Sequence, residues 1–425
     1  MENVIDILKE RGFIDAMTGE EVRDLLQAPI KIYSGFDPTA ESLHIGNLVP
    51  LIGLAWFQRC GHTPVALIGG ATGMIGDPSG KSKERVLLDE EAIKRNVAGI
   101  TKDVETVLSR HSDVAKPLIV NNLDWFGGIN FIAFLRDIGK NFRMGTMLAK
   151  ESVKSRLNSD EGLSFTEFSY QVLQAYDFYH LAENEDIVIQ LGGSDQWGNI
   201  TAGTELIRKI GTKKAAGITF PLLNRSDGKK FGKSEEGTIW LSPEKLQPYD
   251  FYQYLVRIHD DDVIKLMKLL TFMDLEEIRR YESSMEDNDY IPNTAQKRLA
   301  EEVTRIVHGE EGVTKALRAT EAAAPGAKTV LDAKTLESIA ADIPSAEADA
   351  KDVIGEKVLD IMVQTGFLGS KGEGRRLIRN KGVYVNNVVV EDENTIIEEK
   401  HLIEGRMFLI AAGKKRKILI TIRGL

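Results

Sequence analysis

Over its first 220 residues the chain alternates short apolar runs with longer stretches of helical periodicity, and this limits its fold more than any other feature. The strand-like runs fall at Ile30–Gly35, Thr63–Ile68, Lys116–Val120 and Asp186–Leu191. Helical stretches such as Leu48–Cys60, Phe165–Ala182 and Asp195–Ile210 lie between and after them. Strands that each feed a helix pair in parallel, and helices then cover both faces of the sheet. A ligand of such a sheet sits outside the carboxyl ends of its strands. The pattern predicts an α/β chain whose chemistry lies in the loops that leave those ends.

One such loop carries His44-Ile45-Gly46-Asn47, between the strand-like run and the apolar helical stretch from Leu48. A helix N-terminus presents unpaired amide donors and a partial positive charge, which suits a phosphate. The histidine adds a donating ring, and the glycine lets a nucleotide approach the backbone. Much later, Lys230-Phe231-Gly232-Lys233-Ser234 sets two lysines and a hydroxyl around a glycine. Such a loop can fold over a polyphosphate. Together the two segments predict ATP held between two halves of one site.

A chain of 425 residues exceeds one ordinary core, so two or three domains are expected. The single cysteine, Cys60, cannot form an intramolecular disulfide, which fits a reducing cytosol. The start, Met1-Glu2-Asn3-Val4-Ile5-Asp6, lacks the basic opening and apolar run of a signal peptide. No stretch approaches the roughly 18 apolar residues of a membrane span. A cytoplasmic protein is therefore expected. His62, His111, His180, His259, His308 and His401 show no metal-ligand spacing and are assigned no role.

The net charge of −10 conceals an asymmetry. From Gly355 to Leu425 there are 13 Lys and Arg against 9 Asp and Glu, so this segment is +4 and the remainder −14. A basic module behind an acidic body points to nucleic acid. Within it a basic helix, Gly372 to Asn380, is expected to turn at Gly382 into a strand ending at Asn386-Asn387. Arg375, Arg376, Arg379 and Lys381 lie on that pattern, and Lys414-Lys415-Arg416-Lys417 forms a second basic cluster suited to phosphates. Upstream, Pro248 to about Ala319 reads as helical, and the stretch through Ala322-Ala323-Ala324-Pro325-Gly326 to Ala348 reads as a linker or a marginal helical region between modules.

Several blocks in order carry a resemblance. They are Tyr33-Ser34-Gly35-Phe36-Asp37-Pro38-Thr39 through His44-Ile45-Gly46-Asn47, and Gly69-Gly70-Ala71-Thr72-Gly73-Met74-Ile75-Gly76-Asp77-Pro78-Ser79-Gly80. Next come Tyr170-Gln171-Val172-Leu173-Gln174-Ala175-Tyr176-Asp177, Gly192-Gly193-Ser194-Asp195-Gln196-Trp197-Gly198-Asn199, and the lysine loop. Over essentially its whole length the chain resembles the bacterial-type tyrosyl-tRNA synthetases of class I. The resemblance implies a Rossmann-like catalytic domain at residues 1–225 and a lysine-loop and helical domain at 226–320. A linker at 321–354 and a small α+β RNA-binding domain at 355–425, like one first named from a ribosomal small-subunit protein, would follow.

The implied reaction joins tyrosine to ATP as tyrosyl-adenylate and passes the tyrosyl group to tRNA(Tyr). Thr39, His44, Asn47, Lys81, Arg85, Lys230 and Lys233 would serve the departing pyrophosphate. Asn47 stands where a second histidine is more familiar, and Phe231-Gly232 replaces Met-Ser in the lysine loop. Gly35, Asp37, Gly46, Gly192, Asp195, Phe231, Gly232 and Ser234 would line the rest of the ATP site. Tyr33 and Asp177 would hold the substrate phenol, and Asp77, Tyr170 and Gln174, with Thr72 nearby, its ammonium. Gln196 would hold the tyrosyl group. Spacing supports part of this: Tyr170, Gln174 and Asp177 share one helix face. Mg²⁺ is expected to arrive on the ATP phosphates, with no protein-bound metal or organic cofactor. A homodimer is implied, with Asn121–Gly145 as a candidate interface. Two other readings stay open: a tryptophan enzyme or nucleotidyltransferase of the same superfamily, and a relative that only binds RNA. The Tyr33/Asp177 pair and RNA module argue against the first. Intact His44, Lys230 and Lys233 argue against the second.

Overall fold

The computed structural model describes residues 3–79, 88–110, 115–157, 162–226, 228, 231–234, 237–322, 331, 333–340, 343–413 and 416–423. They form two compact units, Met1–Lys245 with Ile258–Val307, and Leu246–Arg257 with His308–Leu425.

The first unit is built on six strands: β1 (Ala16–Met17), β2 (Lys31–Phe36), β3 (Thr63–Ile68), β4 (Leu118–Asn121), β5 (Ile187–Gly193) and β6 (Ala216–Phe220). Their order is β1-β6-β5-β2-β3-β4, parallel except for β1 against β6. The four expected runs are the four central and outer strands β2 to β5. The chain walks from β2 outward to β4, then returns to lay β5 on the other side of β2. The order thus reverses between β2 and β5, the place where a parallel sheet opens a crevice at its carboxyl edge. The His44 turn follows β2 and Asp195 follows β5, so both leave that crevice.

The helix Leu48–Arg59 is buried almost all round, as its continuous apolar sequence requires. The helix Phe165–Glu185 starts on Ser164, whose Oγ accepts the Glu167 amide at 3.2 Å. One face buries Phe178, Leu181 and Ala182 against Tyr33, Val65 and Leu67 of the sheet. The helix Asp260–Leu270 ends on an unusual cap. The buried Arg11 guanidinium donates to the carbonyls of Met267 at 3.4 Å, Lys268 at 2.9 Å, Thr271 at 2.7 Å and Met273 at 2.8 Å. A small antiparallel hairpin, β7 (Lys233–Ser234) with β8 (Gly237–Thr238), carries the end of the lysine loop.

The second unit holds a five-stranded sheet of order β11-β10-β12-β13-β9. Its strands are β9 (Ser345–Asp349), β10 (Val383–Val385), β11 (Val388–Val389), β12 (Met407–Ala412) and β13 (Arg416–Arg423). One face packs on the helices Val358–Gln364 and Lys371–Arg379 through Leu359, Ile378, Phe408, Ile410, Ile418 and Ile420. The other covers Leu409 and Leu419 with Tyr249, Ala319, Leu336 and Ile343. Tyr249 explains why the helix Pro248–Val256 belongs here and not with its sequence neighbours. These borders differ from the expected ones at 226, 321 and 355. Within the expected linker, Ser345–Asp349 is a strand parallel to β13. Its acidic residues face out while Ala346 and Ala348 turn inward, so its composition resembles a linker although its alternation is that of a strand.

Candidate active site

At the crevice, Tyr33 rises from β2 and packs edge-on against Phe178, with ring centroids 5.4 Å apart. Its hydroxyl is fully buried and has no hydrogen-bond partner among the described residues. Burial, then the nearby Asp177 charge, pushes the Tyr33 phenol well above its ordinary value. Asp177 is equally buried, and desolvation pushes its carboxyl up to about 8. Two donors pull the other way: Trp125 Nε1 reaches Oδ1 at 2.8 Å and Asn122 Nδ2 reaches Oδ2 at 3.0 Å.

Asn122 also starts a polar chain across the crevice. Its Nδ2 donates to Thr72 Oγ1 at 3.0 Å, and its Oδ1 accepts the Ala71 amide at 2.7 Å. Thr72 Oγ1 donates to Asp37 Oδ1 at 2.8 Å, and Tyr170 Oη donates to Asp37 Oδ2 at 2.8 Å. Asp77 forms a second knot, accepting from Gln196 Nε2 at 2.7 Å and the Ser79 amide at 3.0 Å. Gln174 Oε1 is buried with no partner among the described residues. Neither Asp77 nor Asp177 has a cationic partner among the described residues. An ammonium and a phenol on one small molecule would match these groups.

Beside this pocket, the His44 turn is a single 3₁₀ turn, Ile45–Asn47. His44 Nδ1 accepts the Gly46 amide at 3.1 Å, and Asn47 Oδ1 accepts the His44 amide at 3.1 Å. Asn47 therefore closes a capping box on His44. The residues before the turn pair antiparallel with the segment after the lysine hairpin. The Leu241 amide donates to Leu43 O at 2.8 Å, His44 bridges Trp240, and the Ile45 amide donates to Ile239 O at 2.9 Å. The Ile239 amide in turn donates to Gly232 O at 3.1 Å. Gly232 has φ 86°, and an added Cβ would meet Ile45 Cγ2 at 2.9 Å, so glycine is what lets the two motifs touch. The two segments expected to share ATP are thus one continuous ribbon.

Among the other expected residues, Thr39 and Gly35 are exposed at the same edge, Gly46 lies in the turn and Phe231 is buried beside Gly232. Gly192 and Asp195 end β5 and begin the next turn, where Asp195 Oδ2 accepts from Gln196 at 3.3 Å. Lys81, Arg85, Lys230, Lys414 and Lys415 lie outside the described residues, while Lys233 and Ser234 are described as backbone of β7. Asn122 and Trp125, which hold Asp177, were not expected. The one sequence signal for them is a polar pair, Asn121-Asn122, directly after a strand-like run.

In the second unit Arg375, Arg376, Arg379 and Lys381 are exposed on and just beyond the helix Lys371–Arg379. Glu393 Oε2 lies 3.7 Å from Arg375 Nε and 4.0 Å from Arg379 Nη2, Lys381 pairs with Glu391 at 2.8 Å, and Arg416 pairs with Glu373 at 2.7 Å. Lys417 corrects the expected basic cluster. Its side chain is turned inward, donates to Thr320 O at 3.3 Å and lies 5.9 Å from the Tyr249 ring centroid. Burial lowers its ammonium to about 8. A strand with both faces covered must bury one side of any basic run, and Lys417 falls on the side of Leu419.

Residues 25–324 match the family of class I tRNA synthetases (W and Y), and residues 335–420 match the tyrosine–tRNA ligase SYY-like C-terminal domain. A tyrosine–tRNA ligase of Protochlamydia amoebophila is 61% identical over 422 residues, covering 99% of each chain. A chloroplastic/mitochondrial tyrosine–tRNA ligase of Arabidopsis thaliana is 53% identical, over 99% of this chain and 84% of its own. Among solved structures, a C-terminally truncated mitochondrial tyrosyl-tRNA synthetase of Coccidioides posadasii aligns with a TM-score of 0.64 and 30% identity, over 74% of this chain and 91% of that one.

Proposed function

The chain belongs to the tyrosine–tRNA ligases, within the class I aminoacyl-tRNA synthetases, and on that premise we propose how its side chains divide the reaction. It activates L-tyrosine with ATP and transfers the tyrosyl group to tRNA(Tyr). In the first step a tyrosine carboxylate oxygen bonds to the α-phosphorus and the bond to pyrophosphate breaks. No proton moves and no covalent bond to the protein forms. The protein's part is positioning and stabilising the charge that gathers on pyrophosphate.

Tyr33 and Asp177 hold the substrate phenol, and the single observation that carries this is the buried Tyr33 hydroxyl, without a partner among the described residues, beside a buried carboxyl. Phenylalanine would leave both groups unpaired, which costs it binding. Asp77, Tyr170 and Gln174, with Thr72 behind them, take the ammonium, and Gln196 takes the tyrosyl group. Asp195 holds the ribose, with Gly35, Asp37, Gly46 and Gly192 around the nucleotide. His44, Thr39 and Asn47 meet the pyrophosphate from one side, and Lys230, Lys233 and Ser234 beyond Phe231-Gly232 from the other. Lys81 and Arg85 add positive charge, and ATP enters as its Mg²⁺ complex.

In the second unit Arg375, Arg376, Arg379, Lys381, Lys414, Lys415 and Arg416 contact tRNA phosphates. Phe131, Ile132, Leu135, Met144 and Phe165 are exposed at 44% or more, and such a patch supports a homodimer through this face. No helix among the described residues is long and apolar enough to cross a membrane, and we assign the protein to the cytoplasm.

The deciding experiment is exchange of labelled pyrophosphate into ATP with tyrosine, tryptophan or phenylalanine. Exchange with tyrosine alone supports the phenol assignment, whereas exchange with tryptophan would remove Tyr33 and Asp177 from that role.

A further inference from the structure

We propose that Asp103 is a positioning residue for adenylate formation, fixing the loop that presents Thr39 and His44 and tying it to the segment behind the lysine hairpin. The inference rests on the reading of His44 and the lysine loop as the pyrophosphate-facing side of the site.

Asp103 lies on the helix Glu90–Ser109. Its Oδ2 accepts the Leu43 amide at 2.8 Å and the Ser42 hydroxyl at 2.7 Å. Ser42 Oγ in turn accepts the Ser242 amide at 3.0 Å. Ser42, Asp103 and Ser242 are all buried, at 3%, 7% and 8% exposure, so water replaces none of these bonds cheaply. One carboxylate oxygen thus holds the residue before His44 and, through one hydroxyl, the end of the ribbon that runs back to Gly232.

The same helix face reads the loop at two further points. Asn96 Nδ2 donates to Pro38 O at 2.9 Å, and a Cβ on Gly99 would stand 1.9 Å from Glu41 O. Positions 96, 99 and 103 are spaced i, i+3 and i+7, so they form one stripe along the helix. The stripe follows the backbone from Pro38 to Leu43, the stretch between Thr39 and His44. Ion pairs at the rim, Lys102 with Glu244 and Lys245 with Glu41, tie the helix and the loop each to the segment behind the lysine hairpin, but are more exposed and weak by comparison. Burial raises the Asp103 carboxyl, and the Ser42 and Leu43 donors oppose that shift by favouring the ionised form.

The test is Asp103→Ala beside Asp103→Asn in the full chain, with equilibrium tyrosine binding and the single-turnover rate of tyrosyl-adenylate formation both measured. Asparagine keeps an oxygen that accepts both donors, and alanine does not. We expect the alanine variant to hold tyrosine within about twofold while adenylate formation slows by about tenfold or more, and the asparagine variant to recover most of the rate. An unchanged rate in Asp103→Ala, or a loss of tyrosine affinity in step with the rate, would overturn the proposal. Should the alanine variant fail to fold, Ser42→Ala removes the hydroxyl's bonds to Asp103 and Ser242 while keeping the Leu43 bond, and must slow the same step with tyrosine binding intact. A native chain that forms no adenylate with tyrosine would instead sink the functional reading, a result separable from a silent Asp103 variant.

Discussion

Trp125 Nε1 donates to Asp177 Oδ1 at 2.8 Å, so an indole from the one-turn helix Leu123–Phe126 after β4 holds a carboxylate from the helix Phe165–Glu185. With Asn122 on the other oxygen, Asp177 is fixed in one rotamer and aimed into the pocket before any ligand arrives. A preorganised acceptor spares the substrate the cost of ordering it. It is also a buried carboxyl without a cationic partner among the described residues, so its protonation depends on pH.

A carboxyl pushed up to about 8 holds its proton in the ligand-free protein below that pH. The substrate phenol donates, so it needs the ionised form, and binding must release the proton. Tyrosine affinity is therefore expected to be flat above about pH 8 and to weaken by up to about tenfold per unit as pH falls from 8 to 6. Equilibrium dialysis at pH 6, 7 and 8 measures it. Trp125→Phe removes a donor to the charged form and should move the transition to higher pH. An affinity that is constant over this range would mean that the two donors outweigh burial.

Asn47 has a defined task here, since its Oδ1 caps the His44 amide. Asn47→Ala is expected to loosen His44 and slow adenylate formation by about tenfold, with loss of a cap worth about 1 kcal/mol. Asn47→Asp keeps the acceptor but sets a negative charge beside the pyrophosphate position, so it should raise the KM for ATP and leave that for tyrosine unchanged. Equal ATP kinetics in Asn47→Asp and the native chain would separate Asn47 from the nucleotide.

How much of this was legible follows the reach of each signal. The strands from Lys31 and Thr63 and the helix from Phe165 announce themselves by local runs, and the shared face of Tyr170, Gln174 and Asp177 follows from helical spacing alone. Strand β1 is two residues long, and β6, Ala216–Phe220, contains a glycine in a short run, so neither carries a local pattern. Asn122, Trp125, Ser42 and Asp103 act through partners 52 to 61 positions away, and no periodicity links them. Lys417 misled because four basic residues in a row look like one surface, whereas a strand alternates its faces.

Arg11 offers a stability prediction. Its guanidinium satisfies carbonyls at the end of the helix Asp260–Leu270, and burial lowers it to about 10. Arg11→Met keeps much of the packing against Trp56 but leaves those carbonyls unpaired. A loss of about 3–5 kcal/mol is expected. Urea unfolding of the two proteins would measure it, and a loss below about 1 kcal/mol would mean that water caps the helix equally well.

The basic helix of the second unit carries its own counter-charge. Glu393 Oε2 lies between Arg375 and Arg379, one helical turn apart, where a phosphate oxygen would compete for the same guanidinium groups. Each contact is long and both arginine side chains are exposed, although Glu393 Oε2 itself is buried and makes no hydrogen bond among the described residues, so the carboxylate tunes affinity without blocking it. Glu393→Gln should tighten tRNA binding by roughly twofold to fivefold near 0.1 M salt, and steepen the fall of affinity with salt as the freed arginines neutralise phosphate. The gain should apply equally to a tRNA that the enzyme does not charge, because phosphate contacts carry no sequence information. Filter binding with cognate and non-cognate tRNA across a salt series tests both parts. An unchanged affinity in Glu393→Gln would place Arg375 and Arg379 outside the RNA-contacting surface.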